Sequence, residues 1–153
     1  MTAGPVTVRD PKGCPYYLIS RSTLAVTAEM KQEFASAGLE GVRPAYLGVL
    51  MSLWQEDGLS AVELARRAGL EPSTMTGLLD RMERDRLLAR QADPDDRRAQ
   101  CIYLTETGRG VREPTLVAVD RTLARVLAGV SEKDLATMKD TLRRVLANTD
   151  RVS

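Results

Sequence analysis

The 153-residue chain contains no histidine, only two cysteines and few aromatic residues (4%). Each scarcity excludes something. Without histidine the usual general base is missing, and so is any Cys/His zinc site. Cys14 and Cys101 are too few for a disulfide framework, which favours a reducing, cytoplasmic setting. Apolar runs stop at four or five residues, as in Tyr16-Tyr17-Leu18-Ile19, so no membrane span is expected. The first dozen residues lack an apolar stretch of the kind that opens a secretory signal. Nor does charge of one sign dominate, with 22 Lys+Arg against 21 Asp+Glu. Any case for nucleic-acid binding must therefore rest on local pattern. No nucleophile–base pair, phosphate loop or metal cluster is recognisable, so the chain does not read as an enzyme and implies no cofactor.

What is present is a mainly helical pattern. Residues Met1 to Gly13, with Gly4, Pro5, Pro11 and Gly13, read as a loose arm. Pro15 suits a first helical position, and Ile19, Val26, Met30 and Phe34 form one stripe of a helix running to about Ala37. That stripe, with Leu142 and Leu146 near the other end of the chain, needs an apolar partner surface, which points to a homodimer. Pro44 opens a second helix carrying Leu47, Leu50, Met51 and Trp54. Ser60-Ala-Val-Glu63 is a capping box for a short third helix, and Pro72 opens a fourth with Met75, Leu78, Leu79 and Met82 on one face. Leu87 to Arg90 and Cys101 to Leu104 are strand candidates around the turn-rich Asp93-Pro-Asp-Asp-Arg-Arg98. Thr105 caps a long helix to Gly129, bent near Gly110 to Pro114 because proline cannot bond the carbonyl of Gly110. Ser131-Glu-Lys-Asp134 introduces the last helix.

Ala61 to Leu104 carries the function. A small Ala65, then Gly69, then apolar Met75 and Leu78 is the spacing of a helix-turn-helix, with Gly69 supplying the left-handed turn. Packing through Met75 and Leu78 would leave Ser73, Thr76, Gly77 and Asp80 facing outward. Short hydroxyl side chains there reach phosphates, base edges or a thymine methyl. A hairpin with paired arginines following at once makes this a winged helix, since arginine suits a narrow, electronegative minor groove. The candidate DNA contacts are Ser73, Thr74, Thr76, Arg81, Arg97 and Arg98. Asp96 is expected to orient a neighbouring arginine. Eight arginines and eight acids between Ser60 and Leu104 make the lobe neutral, so binding would require the arginines to segregate.

The run Ser73-Thr-Met-Thr-Gly-Leu-Leu-Asp-Arg-Met-Glu-Arg84, with Asp96-Arg-Arg98 and Leu104-Thr-Glu-Thr-Gly108, resembles the MarR family of bacterial transcriptional regulators over about Arg43 to Gly108. The resemblance implies a mainly α fold in three parts. Residues 1–42 would be an arm and dimerisation helix, residues 43–104 the winged helix-turn-helix lobe with its β-hairpin wing, and residues 105–153 further dimerisation helices. It implies a ligand-responsive repressor that binds a pseudo-palindromic operator in double-stranded DNA as a homodimer. A small aromatic or phenolic effector would bind between dimer helices and lobe. Thr76 and Arg81 match recognition-helix contacts, and Arg98 matches the wing-tip arginine of the minor groove. The sequence departs from the family pattern at two positions. Gly77 stands where many relatives carry a basic residue, so one phosphate or base contact is expected to be absent. Arg86 stands where glycine commonly ends the recognition helix, so that terminus is expected to be remodelled. Some relatives sense oxidants through a first-helix cysteine, but Cys14 falls about one turn too early and Cys101 lies in a wing strand, so both are expected to be inert thiols. The competing reading is a winged-helix protein–protein module that does not bind DNA.

Overall fold

The computed structural model describes residues 10–150, so the arm's first nine residues lie outside the described part. The rest of that arm is ordered by local bonds. Asp10 accepts the Lys12 amide at 3.0 Å and caps a single 3₁₀ turn, Pro11–Gly13. Cys14, directly after that arm, is buried at the N-cap of the first helix.

Seven α-helices and three short strands follow among the described residues: α1 (Pro15–Ser36), α2 (Leu47–Gln55), β1 (Leu59–Ser60), α3 (Ala61–Ala68), α4 (Pro72–Arg84), β2 (Leu88–Ala92), β3 (Gln100–Leu104), α5 (Glu106–Gly110), α6 (Arg112–Val126) and α7 (Glu132–Thr149). Pro44–Tyr46 forms a 3₁₀ turn leading into α2. No described helix is long and apolar enough to cross a membrane. The chain divides into two compact units between Thr122 and Leu123.

The first unit is built around one apolar core. The buried faces of α2 (Val49, Leu50, Leu53) and α4 (Met75, Leu78, Leu79, Met82) meet Leu64, Leu87 and Ile102. Helix α1 divides along its length. Met30 and Phe34 are buried in this same core, with Val26 packed against it, whereas Ile19, Leu24 and Tyr16 are exposed. The stripe expected to serve a partner thus serves the chain's own core in its second half. The aromatics divide similarly: Phe34 and Tyr46 are core, while Tyr16 is 79% exposed.

The wing strands run antiparallel, with Leu88 opposite Leu104 and Ala92 opposite Gln100. The two-residue β1 adds to the free edge of β3, Leu59 opposite Ile102, giving the order β1-β3-β2. This strand has no sequence signal, because a two-residue strand exists only through its partner. Beyond the wing, Thr105 caps α5 through Gly108, and the helix is interrupted at Val111 before α6 resumes. Pro114 has no amide for the carbonyl of Gly110, which accounts for the break. Gly108 sits in a tight spot beside the wing, its carbonyl accepting Trp54 Nε1 at 2.9 Å.

The second unit contains α7, opened by Ser131. The Ser131 hydroxyl accepts the Asp134 amide at 3.1 Å and donates to the Asp134 carboxylate at 2.8 Å. Met138, Leu142, Val145 and Leu146 are exposed along this helix.

Candidate nucleic-acid interface

The short turn between α3 and α4 follows from residue chemistry. Ser60 Oγ accepts the Glu63 amide at 3.1 Å, and the Glu63 carboxylate turns to Arg66 and Arg67 rather than closing the box back onto Ser60. Those two guanidinium groups hold the Glu63 carboxyl down to about 2. Gly69 ends α3 at φ 66, and bonds from Gly69 N–H to Arg66 O and from Leu70 N–H to Ala65 O lock the turn. Pro72 then starts α4, whose N-terminus has no side-chain cap. Its first amides therefore remain open to an anion.

Ser73, Thr74, Thr76 and Arg81 are all exposed on α4, opposite the buried Met75, Leu78, Leu79 and Met82. The Thr76 hydroxyl donates to Pro72 O at 3.0 Å, so toward a ligand it has only acceptor capacity and its methyl group. The far end of α4 departs from the sequence expectation. Arg86 adopts φ 61 and keeps the left-handed turn that glycine would make. Three bonds hold it there: Arg86 N–H to Glu83 O, Leu87 N–H to Met82 O, and the Thr105 hydroxyl to Arg86 O at 2.6 Å. Tertiary bonding fixes the terminus, which is not remodelled.

At the wing tip Arg97 and Arg98 are exposed. Asp93 accepts the Asp95 amide at 2.8 Å and Asp96 accepts the Arg98 amide at 3.0 Å. Asp96 thus orients the backbone that presents Arg98 rather than pairing with a guanidinium. Cys101 lies behind this loop. Burial first, and then the carboxylate of Asp93, pushes its thiol up, consistent with an inert thiol.

The charge problem posed by the neutral lobe resolves in the pairing. Glu63 pairs with Arg66 and Arg67, and Glu56 joins at Arg67. Asp80 and Glu83 both close on Arg90, at 2.6 and 2.5 Å. Asp85 accepts the Tyr46 hydroxyl at 2.6 Å and stands 3.8 Å from Arg43. Burial, then Asp85, raises the Tyr46 hydroxyl above its ordinary value. Among the described residues Arg81, Arg84, Arg97 and Arg98 take no ion pair. Arg84 was not singled out by sequence reasoning, although it lies one turn beyond Arg81 and eight residues beyond Thr76, a spacing that marks the same helix strip.

Arg43 was also missed. It borders two hollows: a small one with Arg81, Arg84 and Asp85, and an open cleft of about 530 Å³. Phe34, Leu39, Val42 and Pro44 give the cleft its apolar walls, while Lys31 and Arg43 supply positive charge against the single acid Glu40. Of the aromatics, Phe34 alone lines it.

Comparison with known proteins agrees with this geometry. A sequence profile of the MarR family matches residues 44–99. The HTH-type transcriptional repressor MdtR of Bacillus subtilis (strain 168) is 35% identical over 96 residues, 63% of this chain and 62% of MdtR. The HTH-type transcriptional regulator TtmR of Methylorubrum extorquens (strain PA1) is 44% identical over 69 residues, 45% of this chain and 35% of TtmR. The chain therefore matches less than two thirds of the length of these curated relatives. Among solved structures, CouR from Rhodococcus jostii RHA1 bound to p-coumaroyl-CoA aligns over 95% of this chain and 99% of its own, with a TM-score of 0.76 and 28% identity. MdtR is thus a transcriptional repressor and TtmR a transcriptional regulator. With the profile on the lobe and a winged helix in the fold, residues 44–99 match the MarR family and the fold is that of its solved winged-helix members.

Proposed function

We propose that this protein is a DNA-binding transcriptional repressor, acting in the cytoplasm as a homodimer on a pseudo-palindromic operator. The observation that carries the reading is the charge partition of the lobe. Its acids are largely engaged with Arg66, Arg67, Arg90, Tyr46 and the wing-tip amides, while Arg81 and Arg84 on α4 and Arg97 and Arg98 on the wing remain unpaired. In this reading α4 enters the major groove with Ser73, Thr74 and Thr76 leading. Arg81 contacts the backbone or a base, and the wing arginines enter the minor groove. Exposed apolar residues at the start of α1 and along α7 support a two-fold partner, with 1–42 and 105–153 as the dimerising parts and 43–104 as the lobe.

Ligand response is assigned to the cleft beside Arg43. Its apolar walls, with two cations (Lys31, Arg43) against one acid (Glu40), suit a small aromatic or phenolic molecule bearing negative charge, and CouR is a relative seen with p-coumaroyl-CoA. Arg43 touches both the cleft and Asp85 at the end of α4. A ligand that draws Arg43 away would leave Asp85 facing Arg81 and Arg84, lowering their availability to phosphate.

The test is footprinting on the DNA flanking the protein's own gene, followed by affinity measurements at several salt concentrations. A protected palindrome with affinity falling steeply in salt is expected, and Arg98→Ala should flatten that slope. If no duplex binds at low salt, the lobe is instead a protein-docking module.

A further inference from the structure

Position 77, in the middle of α4, is a glycine that nothing in the chain requires. Its backbone is ordinary helix, outside the positive-φ residues, and a Cβ built there would meet no atom within 4 Å. A glycine inside a helix is less stable than alanine, so the chain gives up stability here without a packing return. The position explains why. Ser73, Gly77 and Arg81 are spaced four residues apart on one strip of α4, opposite the buried Met75, Leu78, Leu79 and Met82. The glycine thus leaves a gap between two exposed polar side chains on the surface assigned to DNA.

That gap has a definite chemistry. The amide and carbonyl of Gly77 belong to the helix's own hydrogen-bond ladder, leaving only Cα hydrogens facing outward. Neighbouring Thr76 has committed its hydroxyl proton to Pro72 O, so it adds no donor. An apolar notch without donors fits the one apolar group that projects into the major groove, the 5-methyl of thymine. We propose that Gly77 is the point of closest approach of the α4 backbone to DNA, a notch that seats a thymine methyl between the contacts of Ser73 and Arg81. The inference rests on the DNA-binding reading and adds a specificity determinant to it.

The test compares full-length wild type with Gly77→Ala. The probes are a duplex recovered by the wild type from a random pool, an unrelated duplex, and versions of the recovered duplex with each thymine singly replaced by uracil, which lacks the methyl. Gly77→Ala should unfold at higher urea and bind the recovered duplex about tenfold more weakly, a larger loss than on the unrelated duplex. Wild type should lose affinity at one uracil position per half-site, to which Gly77→Ala is indifferent. Equal binding of the recovered duplex by both proteins, recovery of no preferred sequence, or insensitivity of the wild type to every uracil would overturn the notch. Failure of the wild type to bind any duplex would instead overturn the DNA-binding reading, and the notch with it.

Discussion

Gly108 offers the sharpest test of how the wing is joined to the helices. Its amide donates to Thr105 Oγ1 at 3.0 Å and its carbonyl accepts from Trp54. A Cβ added there would lie 2.0 Å from the Leu87 carbonyl oxygen and 3.1 Å from Leu104 Cδ2. The obstacle is backbone, and Leu87 O is itself fixed by the Thr105 amide at 3.1 Å. In Gly108→Ala, α5 must therefore move away from the wing. Overpacking of this kind costs about 1–3 kcal/mol, and loss of the Trp54 bond costs about 1 kcal/mol more. The gain in helix propensity offsets roughly 1 kcal/mol. The net loss is then about 1–3 kcal/mol, a fall on the order of 1 M in the urea midpoint at fixed protomer concentration. Trp54 is the only tryptophan, so its emission before unfolding reports the local displacement directly. Gly110→Ala is the control, because a Cβ there meets nothing within 4 Å. An unchanged midpoint and emission spectrum for Gly108→Ala, or an equal loss for Gly110→Ala, would refute the steric argument.

Arg86→Gly should stabilise the protein by about 1 kcal/mol, since φ 61 is unfavourable for a side-chain-bearing residue; the urea midpoint reads it, and a fall would mean the arginine side chain has a packing role. Glu63, whose carboxyl is lowered from 4.5 to about 2 by Arg66 and Arg67, contributes stability that is full above pH 4.5 and disappears as pH falls from 4.5 through about 2. Glu63→Gln should flatten that limb of the stability–pH curve, modestly because the pair is solvent-screened, and a curve of unchanged shape would count against the pairing. Leu142→Glu combined with Leu146→Glu, both exposed on α7, should shift sedimentation from dimer to protomer mass, whereas a dimer surviving at micromolar concentration would remove α7 from the interface.

The lobe was legible in the sequence because its signals are local and redundant. Four apolar residues at helical spacing, Met75, Leu78, Leu79 and Met82, give the buried face of α4. Gly69 marks the turn before it, and the clustered aspartates of residues 93–96 mark the tip of the wing. What stayed illegible depends on pairing between distant segments. Whether Arg90 faces DNA or holds Asp80 and Glu83 is decided by how β2 lies against α4. The same holds for β1, for the burial of Cys14, and for the split of α1 between core and exposed surface. Periodicity locates an apolar face but does not say which neighbour covers it.

Three departures from good local helix design meet on α4, and of the lobe's other helices α2 shares the missing cap and an internal glycine but ends without a left-handed non-glycine residue. A chain selected for helix stability alone would place a capping Ser, Thr, Asp or Asn before α4, alanine inside it and glycine just after it. This chain has the uncapped Glu71, Gly77 and the left-handed Arg86 at those positions. By contrast α3, α5 and α7 each carry a side-chain cap from Ser60, Thr105 or Ser131, and α3 ends on a left-handed glycine. So α4 is held by its buried face and by the bonds around Arg86 and Thr105, not by its own propensity. Such local conflict marks a surface shaped for a partner rather than for folding. An open N-terminus receives anions, a bare Cα admits close approach, and an arginine at the helix end keeps positive charge where glycine would supply none.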